Sequence, residues 1–261
     1  MSARRRASRP PSAPLRCDQA KEAPPPVLLE RDGPILTLTL NRPEVLNAYD
    51  RSMRDHVYEA LGLAAEDASI RVLVVRGAGR AFSSGGDLGE FGTAPSPVRA
   101  REVRQVRDVW GRWARLPCIS IAAVHGIAAG GGLEMALLCD QIVCTTDARF
   151  GLPETALGLI PGVGGTQTLP RAIGLGRAAS MLLAGEWVTG TEAARVGLAL
   201  QAVAPARLDA VVRRLARRFA AVDERLLHGV KDCLRRGRDL PLPSALALER
   251  RWASALRARD R

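Results

Sequence analysis

The residues of this chain with the clearest capacity for chemistry lie in HGIAAGGGLEMALLCD, from His125 to Asp140. The stretch is apolar almost throughout. Three consecutive glycines, Gly130, Gly131 and Gly132, break it, and one carboxylate, Glu134, sits inside it. Glutamate is seldom fully buried unless it is paired or put to use. A Gly-rich turn that opens a helix leaves the first backbone N–H groups without intrahelical acceptors, and the helix dipole adds about half a positive charge there. A developing negative charge near Gly131 would be stabilised by about 3–4 kcal/mol per donor in a dry site. Glu134 lies one turn further on and can project toward the same side. Taken alone, the window also fits close helix–strand packing by the glycines, with an arginine partner for Glu134.

Two further stretches carry candidate groups. In AFSSGGDLGEF, Gly85 and Gly86 precede Asp87, and the Gly86 N–H is a candidate second donor to the same oxygen. The plainer reading is a turn with Asp87 capping a helix. No Ser–His–acid constellation accompanies Ser83 and Ser84. In FGLPETALGLIPGVGGTQTLPRAIG, Glu154 follows Pro153 amid apolar residues. A raised pKa and a general-acid role fit that setting, and so does an ordinary helix start. PGVGG is not a phosphate loop, because GxxxxGK[ST] is absent and so is GxGxxG after a strand. His56, His125 and His228 lie far apart without metal-ligand spacing, so no metal site is expected.

The elements that must position these groups read as alternating strands and helices. Residues 1–26 end in three prolines and predict a disordered basic arm. Val27 to Glu30 and Ile35 to Leu40 flank Asp32-Gly33, which predicts a hairpin. Asp50 is a candidate N-cap for a helix to about Ala65, with Met53, Val57, Leu61 and Ala64/Ala65 apolar. Val72 to Val75, Ile119 to Val124 and Gln141 to Thr145 read as buried strands. Arg99 to Arg115 reads as an amphipathic helix with Val103, Val106, Val109, Trp110 and Trp113 near one face. A helix follows from about Gly132 to Leu138. Strand, Gly-rich turn and helix thus occur twice, which implies an α/β fold with right-handed crossovers. Strand signals fade from Pro153 onward. Helices are predicted over 164–173, 176–183, 191–196, 207–221, 223–236 and 242–257. The last three have apolar stripes against Arg-rich faces and read as surface-lying or partner-facing.

The net charge of +11 points to nucleic acid or a membrane until it is located. Residues 1–26 carry net +4 and residues 207–261 net +8, whereas 27–206 carries −1. Charge confined to the ends is a poor match for a continuous nucleic-acid groove. Lysine occurs only at Lys21 and Lys231, so the excess is arginine, consistent with a GC-rich genome. The five cysteines, Cys17, Cys118, Cys139, Cys144 and Cys233, are odd in number and contain no CxxC. Reduced structural thiols in a cytoplasmic protein are expected, with an organellar matrix the lesser alternative. Cys118 to Cys139 is long enough to span a membrane, but its glycines, His125 and Glu134 argue against that.

Together the three glycine- and glutamate-bearing stretches resemble the crotonase (enoyl-CoA hydratase/isomerase) superfamily, in order and spacing, from about Val27 to about residue 258. The resemblance implies a ββα-superhelix core over 27–206 and a helical trimerisation region over 207–261. It implies homotrimers or dimers of trimers. It also implies an acyl-CoA thioester substrate with no separate cofactor, CoA being part of the substrate. The N–H groups of Gly86 and Gly131 would bind the thioester oxygen, with Glu134 and Glu154 as the catalytic pair. Retention of both glutamates favours hydration of a trans-2-enoyl-CoA over isomerisation or a specialised dehydration. Ser84, Gly85, Asp87, Leu88 and Gly162 would line the site, and LNAYD would place Leu46 and Ala48 at the CoA adenine. Relatives usually continue beyond the position of Arg261 with a segment that touches CoA from a neighbouring subunit, so a shortened C-terminal region is expected. Binding of RNA or acidic partners through the Arg-rich ends is the reading from another class.

Overall fold

The computed structural model describes residues 24–90, 92, 93, 96, 98 and 106–257. Most of the basic arm, Cys17 included, and residues 91, 94, 95, 97, 99–105 and 258–261 lie outside the described residues.

The chain opens with an antiparallel hairpin of β1 (Val27–Asp32) and β2 (Ile35–Leu40). Asp32 pairs with Ile35, so the two-residue loop is Gly33-Pro34 and not Asp32-Gly33. Gly33 sits at φ +56, where its missing side chain is what the turn requires. Asp50 caps α1 (Arg51–Glu66) as expected, its carboxylate accepting the Met53 N–H at 2.7 Å. Met53, Val57, Ala60, Leu61, Gly62 and Ala64 face inward, and Ala65 is exposed.

β3 (Val72–Gly77), β4 (Ile119–Val124), β6 (Gln141–Thr145) and β9 (Gln201–Val203) continue the sheet in parallel, in the order β1-β2-β3-β4-β6-β9. Their near-continuous apolar runs reflect burial of both faces. Alternate residues sort cleanly. Leu73, Val75, Ala122 and Val124 enter the main core with α1, whereas Val72, Val74, Ile121 and Ala123 meet a second core. The second core is closed by α7 (Leu208–Ala220) through Leu208, Val211, Val212 and Ala216, so this Arg-rich helix lies on the sheet.

The single helix expected over 99–115 is broken: within the described residues Val106 is helical, Arg107 and Asp108 are not, and α2 (Val109–Ala114) starts afresh with Asp108 as its cap. Trp113 is fully buried, but Val106 is 78% exposed and leaves the apolar face. α3 (Gly131–Leu138) is buried on nearly every side, which explains its unbroken apolar sequence. Two strands before and after it, β5 (Ile127–Ala129) and β7 (Arg149–Gly151), pair in parallel. β8 (Val188–Thr189) joins β7 as a third, antiparallel member. These strands of two or three residues, like β9, are too short to show a period of two, so strands do persist beyond Pro153.

α4 (Gly165–Ile173), α5 (Leu175–Leu183) and α6 (Gly190–Arg195) follow the predicted pattern. α8 (Glu224–Gly237) and α9 (Leu242–Arg257) pack on each other, with Trp252 against Gly229 and its indole N–H donating to Asp232. α8 is tied down by a buried ion cluster. Lys231 Nζ lies 2.8 Å from Asp140 Oδ2 and also donates to the Cys118 carbonyl, and Arg235 lies 2.9 Å from Asp140 Oδ1. Arg235 also meets the Ala114 and Leu138 carbonyls at the ends of α2 and α3. No helix of the described residues is long and apolar enough to cross a membrane.

Candidate active site

Strand β4, the short β5 and α3 bring Gly130 to Glu134 to the edge of the main core. Gly130 adopts φ 48, ψ −126, a conformation that glycine permits and side chains resist. Its N–H donates to the Gly151 carbonyl of β7 at 2.9 Å, and its carbonyl accepts the Glu134 N–H at 3.0 Å. The turn therefore ends β5, starts α3 and leaves the Gly131 N–H facing out of the helix start.

The Gly85–Gly86 stretch abuts that turn. A methyl group built on Gly85 would lie 2.7 Å from the Ala129 carbonyl and 3.0 Å from the Gly131 nitrogen. One built on Gly131 would lie 3.5 Å from the Gly86 nitrogen. Glycine is needed here because two backbones touch. Among the described residues, neither the Gly86 N–H nor the Gly131 N–H donates to a protein acceptor. Two donors thus sit side by side at a helix start, a geometry suited to one anionic oxygen.

Glu134 is 1% exposed. Its Oε1 accepts N–H bonds from Val163 at 2.9 Å and Gly165 at 2.7 Å. Burial pushes its carboxyl above the usual glutamate range, and the Gly165 and Val163 donors oppose that rise. No arginine pairs with it among the described residues, so the salt-bridged reading of Glu134 does not hold.

Glu154 lies in a 3-10 turn, Pro153–Leu157. Its Oε2 is buried and has no protein partner among the described residues. Burial raises its pKa, its own backbone N–H opposes the rise, and the charge of Glu134 adds to it. The two carboxylates are therefore electrostatic neighbours, although 20 residues separate them in sequence. Gly130 joins the halves of the site, since a methyl group there would lie 2.8 Å from Glu154 Oε1.

The remaining expected residues distribute around this centre. Ser84 donates its N–H to the Leu46 carbonyl at 2.9 Å, and the Ala48 carbonyl accepts from Arg42 at 2.8 Å. Leu46 thus joins the site loop through its backbone, and Ala48 is linked to it through Arg42, which also pairs with Asp87. Asp87 caps only a 3-10 turn, Leu88–Glu90, accepting from the Gly89 N–H at 3.0 Å. Its carboxyl is held below the usual aspartate range by the Arg42 guanidinium, with which it pairs at 3.0 Å. Leu88 is exposed, and so is Gly162, whose successor Val163 is the residue that bonds Glu134.

Sequence reasoning missed Asn47, Ser83, Val163 and Gly165. Asn47 is wholly buried at φ +57, directly after Leu46 at φ +55. Left-handed backbone costs a bulky residue such as leucine about 1–2 kcal/mol, and asparagine tolerates it better. The available signal was a buried asparagine between apolar neighbours in LNAYD. Val163 and Gly165 act through backbone N–H groups, which side-chain identities do not announce.

Comparison with known proteins agrees with this geometry. Residues 30–261 match the profile described as enoyl-CoA hydratase/isomerase. The chain is 37% identical over 235 residues to the 2,3-dehydroadipyl-CoA hydratase of Escherichia coli (strain K12), covering 90% of this chain and 91% of that protein. It superposes on the crystal structure of an enoyl-CoA hydratase of Mycobacterium smegmatis with a TM-score of 0.84 at 34% identity, covering 89% and 91% of the two chains. A structure described as a putative enoyl-CoA hydratase from Thermobifida fusca YX, in complex with CoA, matches with a TM-score of 0.83 at 31% identity, covering 90% and 94%. The sheet order, the paired glycine turns, the two glutamates and these likenesses agree: the chain has the crotonase fold and belongs to the enoyl-CoA hydratase/isomerase family of enzymes.

Proposed function

We propose that this enzyme is an enoyl-CoA hydratase that adds water across the 2,3 double bond of a trans-2-enoyl-CoA. The observation that carries this reading is the meeting of two carboxylates, Glu134 fully buried and Glu154 with a buried, unpartnered Oε2, beside two unengaged backbone donors. A single acid would suffice to move a proton between carbons, whereas hydration must hold a water and also protonate carbon.

In this reading the thioester oxygen lies between the Gly86 and Gly131 N–H groups. Polarising the carbonyl makes C3 electrophilic and gathers enolate charge on the oxygen, where both donors point. Glu134, fixed by the Val163 and Gly165 N–H groups through one oxygen, orients a water and takes its proton as the water oxygen bonds to C3. Glu154, whose pKa is raised by burial and by the charge of Glu134, gives its proton to C2. The Glu134 proton then returns to Glu154 through solvent, so that one water is consumed in each turnover. Dehydration runs the same steps backward. Each acid–base step contributes about 10²–10⁴ in rate.

The CoA moiety would follow the Leu46–Ala48 and Ser84–Leu88 loops and pass near Gly162, with assembly into trimers or dimers of trimers. The CoA complex of the Thermobifida fusca relative supports the substrate class. Adding purified protein to crotonyl-CoA and to longer and ω-carboxylated enoyl-CoAs should consume the conjugated thioester absorbance, and mass spectrometry should find products heavier by one water. Glu154→Gln should remove nearly all turnover and keep CoA binding. An isomerised product of unchanged mass, or full activity in that variant, would defeat the assignment.

A further inference from the structure

The Gly86 donor belongs to the peptide unit that joins Gly85 to Gly86. No peptide bond in the described residues is cis, so the Gly85 carbonyl and the Gly86 N–H point in opposite directions. Whatever holds the carbonyl therefore aims the N–H. That carbonyl accepts the Tyr49 N–H at 2.7 Å, and the Tyr49 carbonyl in turn accepts the Asp87 N–H at 3.0 Å. Tyr49 thus grips both sides of Gly86 with its backbone, and the free N–H is left facing the Gly131 turn.

The position of Tyr49 is decided two residues earlier. The Asn47 side-chain amide donates to the carbonyls of Ala78, Ala81 and Phe82 at 2.9, 2.9 and 3.2 Å, and its Oδ1 accepts the Arg42 N–H at 2.9 Å. These contacts span the end of β3 and the start of the 83–87 stretch. Gly77 makes room for them, because a methyl group there would lie 2.8 Å from Asn47 Nδ2. From the Asn47 carbonyl a second path runs to the same turn. The Ser83 hydroxyl donates to that carbonyl at 2.8 Å and accepts the Gly85 N–H at 3.1 Å. Ser83 is itself wholly buried and bridged on its other side to Ala128 of β5, so it touches both loops that supply a donor.

We propose that Asn47, acting through Ser83 and the Tyr49 backbone, is the positioning residue that aims the Gly86 N–H at the thioester oxygen. Its amide sits against three carbonyls and touches no reacting atom. Its part is to hold two consecutive left-handed residues, Leu46 and Asn47, in the conformation that presents Tyr49 to Gly85. The proposal rests on the hydratase reading above.

The test uses the full chain, with Asn47→Asp to reverse the amide donors, Ser83→Ala to delete only the bridging hydroxyl, and Lys231→Met as a stability control remote from the Gly86 turn. The probe is the CoA thioester of 4-dimethylaminocinnamic acid, whose long-wavelength band moves to the red as its carbonyl is polarised. Wild type and Lys231→Met should show the same red shift, with a lower melting temperature in the control. Asn47→Asp and Ser83→Ala should lose at least half of that shift. Their kcat with crotonyl-CoA should fall about 10–100-fold with KM little changed, less than the loss of a whole donor. If Asn47→Asp fails to fold, Ser83→Ala reads the same link alone. A full shift in folded Ser83→Ala overturns the proposal, even where kcat falls. A wild type that gives neither shift nor turnover overturns the oxyanion reading, and the proposal with it.

Discussion

Replacing Gly130 by alanine probes the joint between the two halves of the site. The added methyl would lie 2.8 Å from Glu154 Oε1, well inside ordinary contact. Restoring a van der Waals distance moves that carboxyl by about 0.6 Å if the backbone holds. A misplacement of about 1 Å costs about 10²-fold in rate, so kcat should fall by about 10–100-fold. The backbone at φ 48, ψ −126 adds strain of about 1–3 kcal/mol, which lowers Tm by roughly 3–10 °C in a chain of this size. Initial rates with crotonyl-CoA, followed at the conjugated thioester band, give kcat and KM, and thermal unfolding gives the strain. KM should change little, because the clash falls on Glu154 and not on the loops proposed to carry CoA. Gly33→Ala is the control: it also has positive φ but an open surround, so its Tm should drop while kcat stays. A Gly130→Ala variant with lowered Tm and unchanged kcat would refute Glu154 as the proton donor.

Two further outcomes follow from burial. Burial raises the Glu154 pKa above the usual 4.5, so the folded state holds its proton to higher pH than the unfolded chain does. That carboxyl therefore costs no stability below pH 4.5 and increasingly more as pH rises through its folded pKa. Glu154→Gln should melt at a higher temperature than wild type at neutral and alkaline pH, with the gap closing toward pH 4; an equal gap at all pH values would contradict the assigned burial. Burial likewise pushes the thiols up, Cys118 to about 11 and Cys139 and Cys144 to about 12. In a thiol titration at pH 8 these three should react only after denaturation, as judged by peptide mapping, and native labelling at Cys144 would show that β6 opens.

The longer elements were legible because each carries its own signal. Asp50 caps α1 through a local carboxylate, and the strands β3, β4 and β6 are apolar runs bounded by turn residues. The short strands β5, β7 and β8 were not legible, because two or three residues show no period and pairing is decided by distant partners. The turn of the first hairpin was displaced by one residue, since Gly33-Pro34 satisfies the loop as well as Asp-Gly would and carries the first strand on to Asp32, while the second keeps its expected bounds. Val106 followed the helical spacing in sequence and still faces solvent, because the helical backbone breaks at Arg107 and Asp108 before α2 starts at Val109, so Val106 does not share a face with Val109 and Trp113.

The site divides along the same line. Sequence alone determined the reactive inventory: a carboxylate and three glycines in an apolar run, a second Gly-Gly turn, and a glutamate after proline. Those residue types are costly in such settings, so their presence already points to use. Only the tertiary structure decided that Gly85 and Gly131 touch, that Glu134 takes its donors from Val163 and Gly165, and that Glu154 reaches Gly130 across the gap between loops. It also decided that a buried asparagine in LNAYD supports the Gly86 turn. These relations run through backbone N–H and C=O groups that every residue carries. The letters of a sequence do not distinguish them until the sheet and helix α3 have brought the loops together.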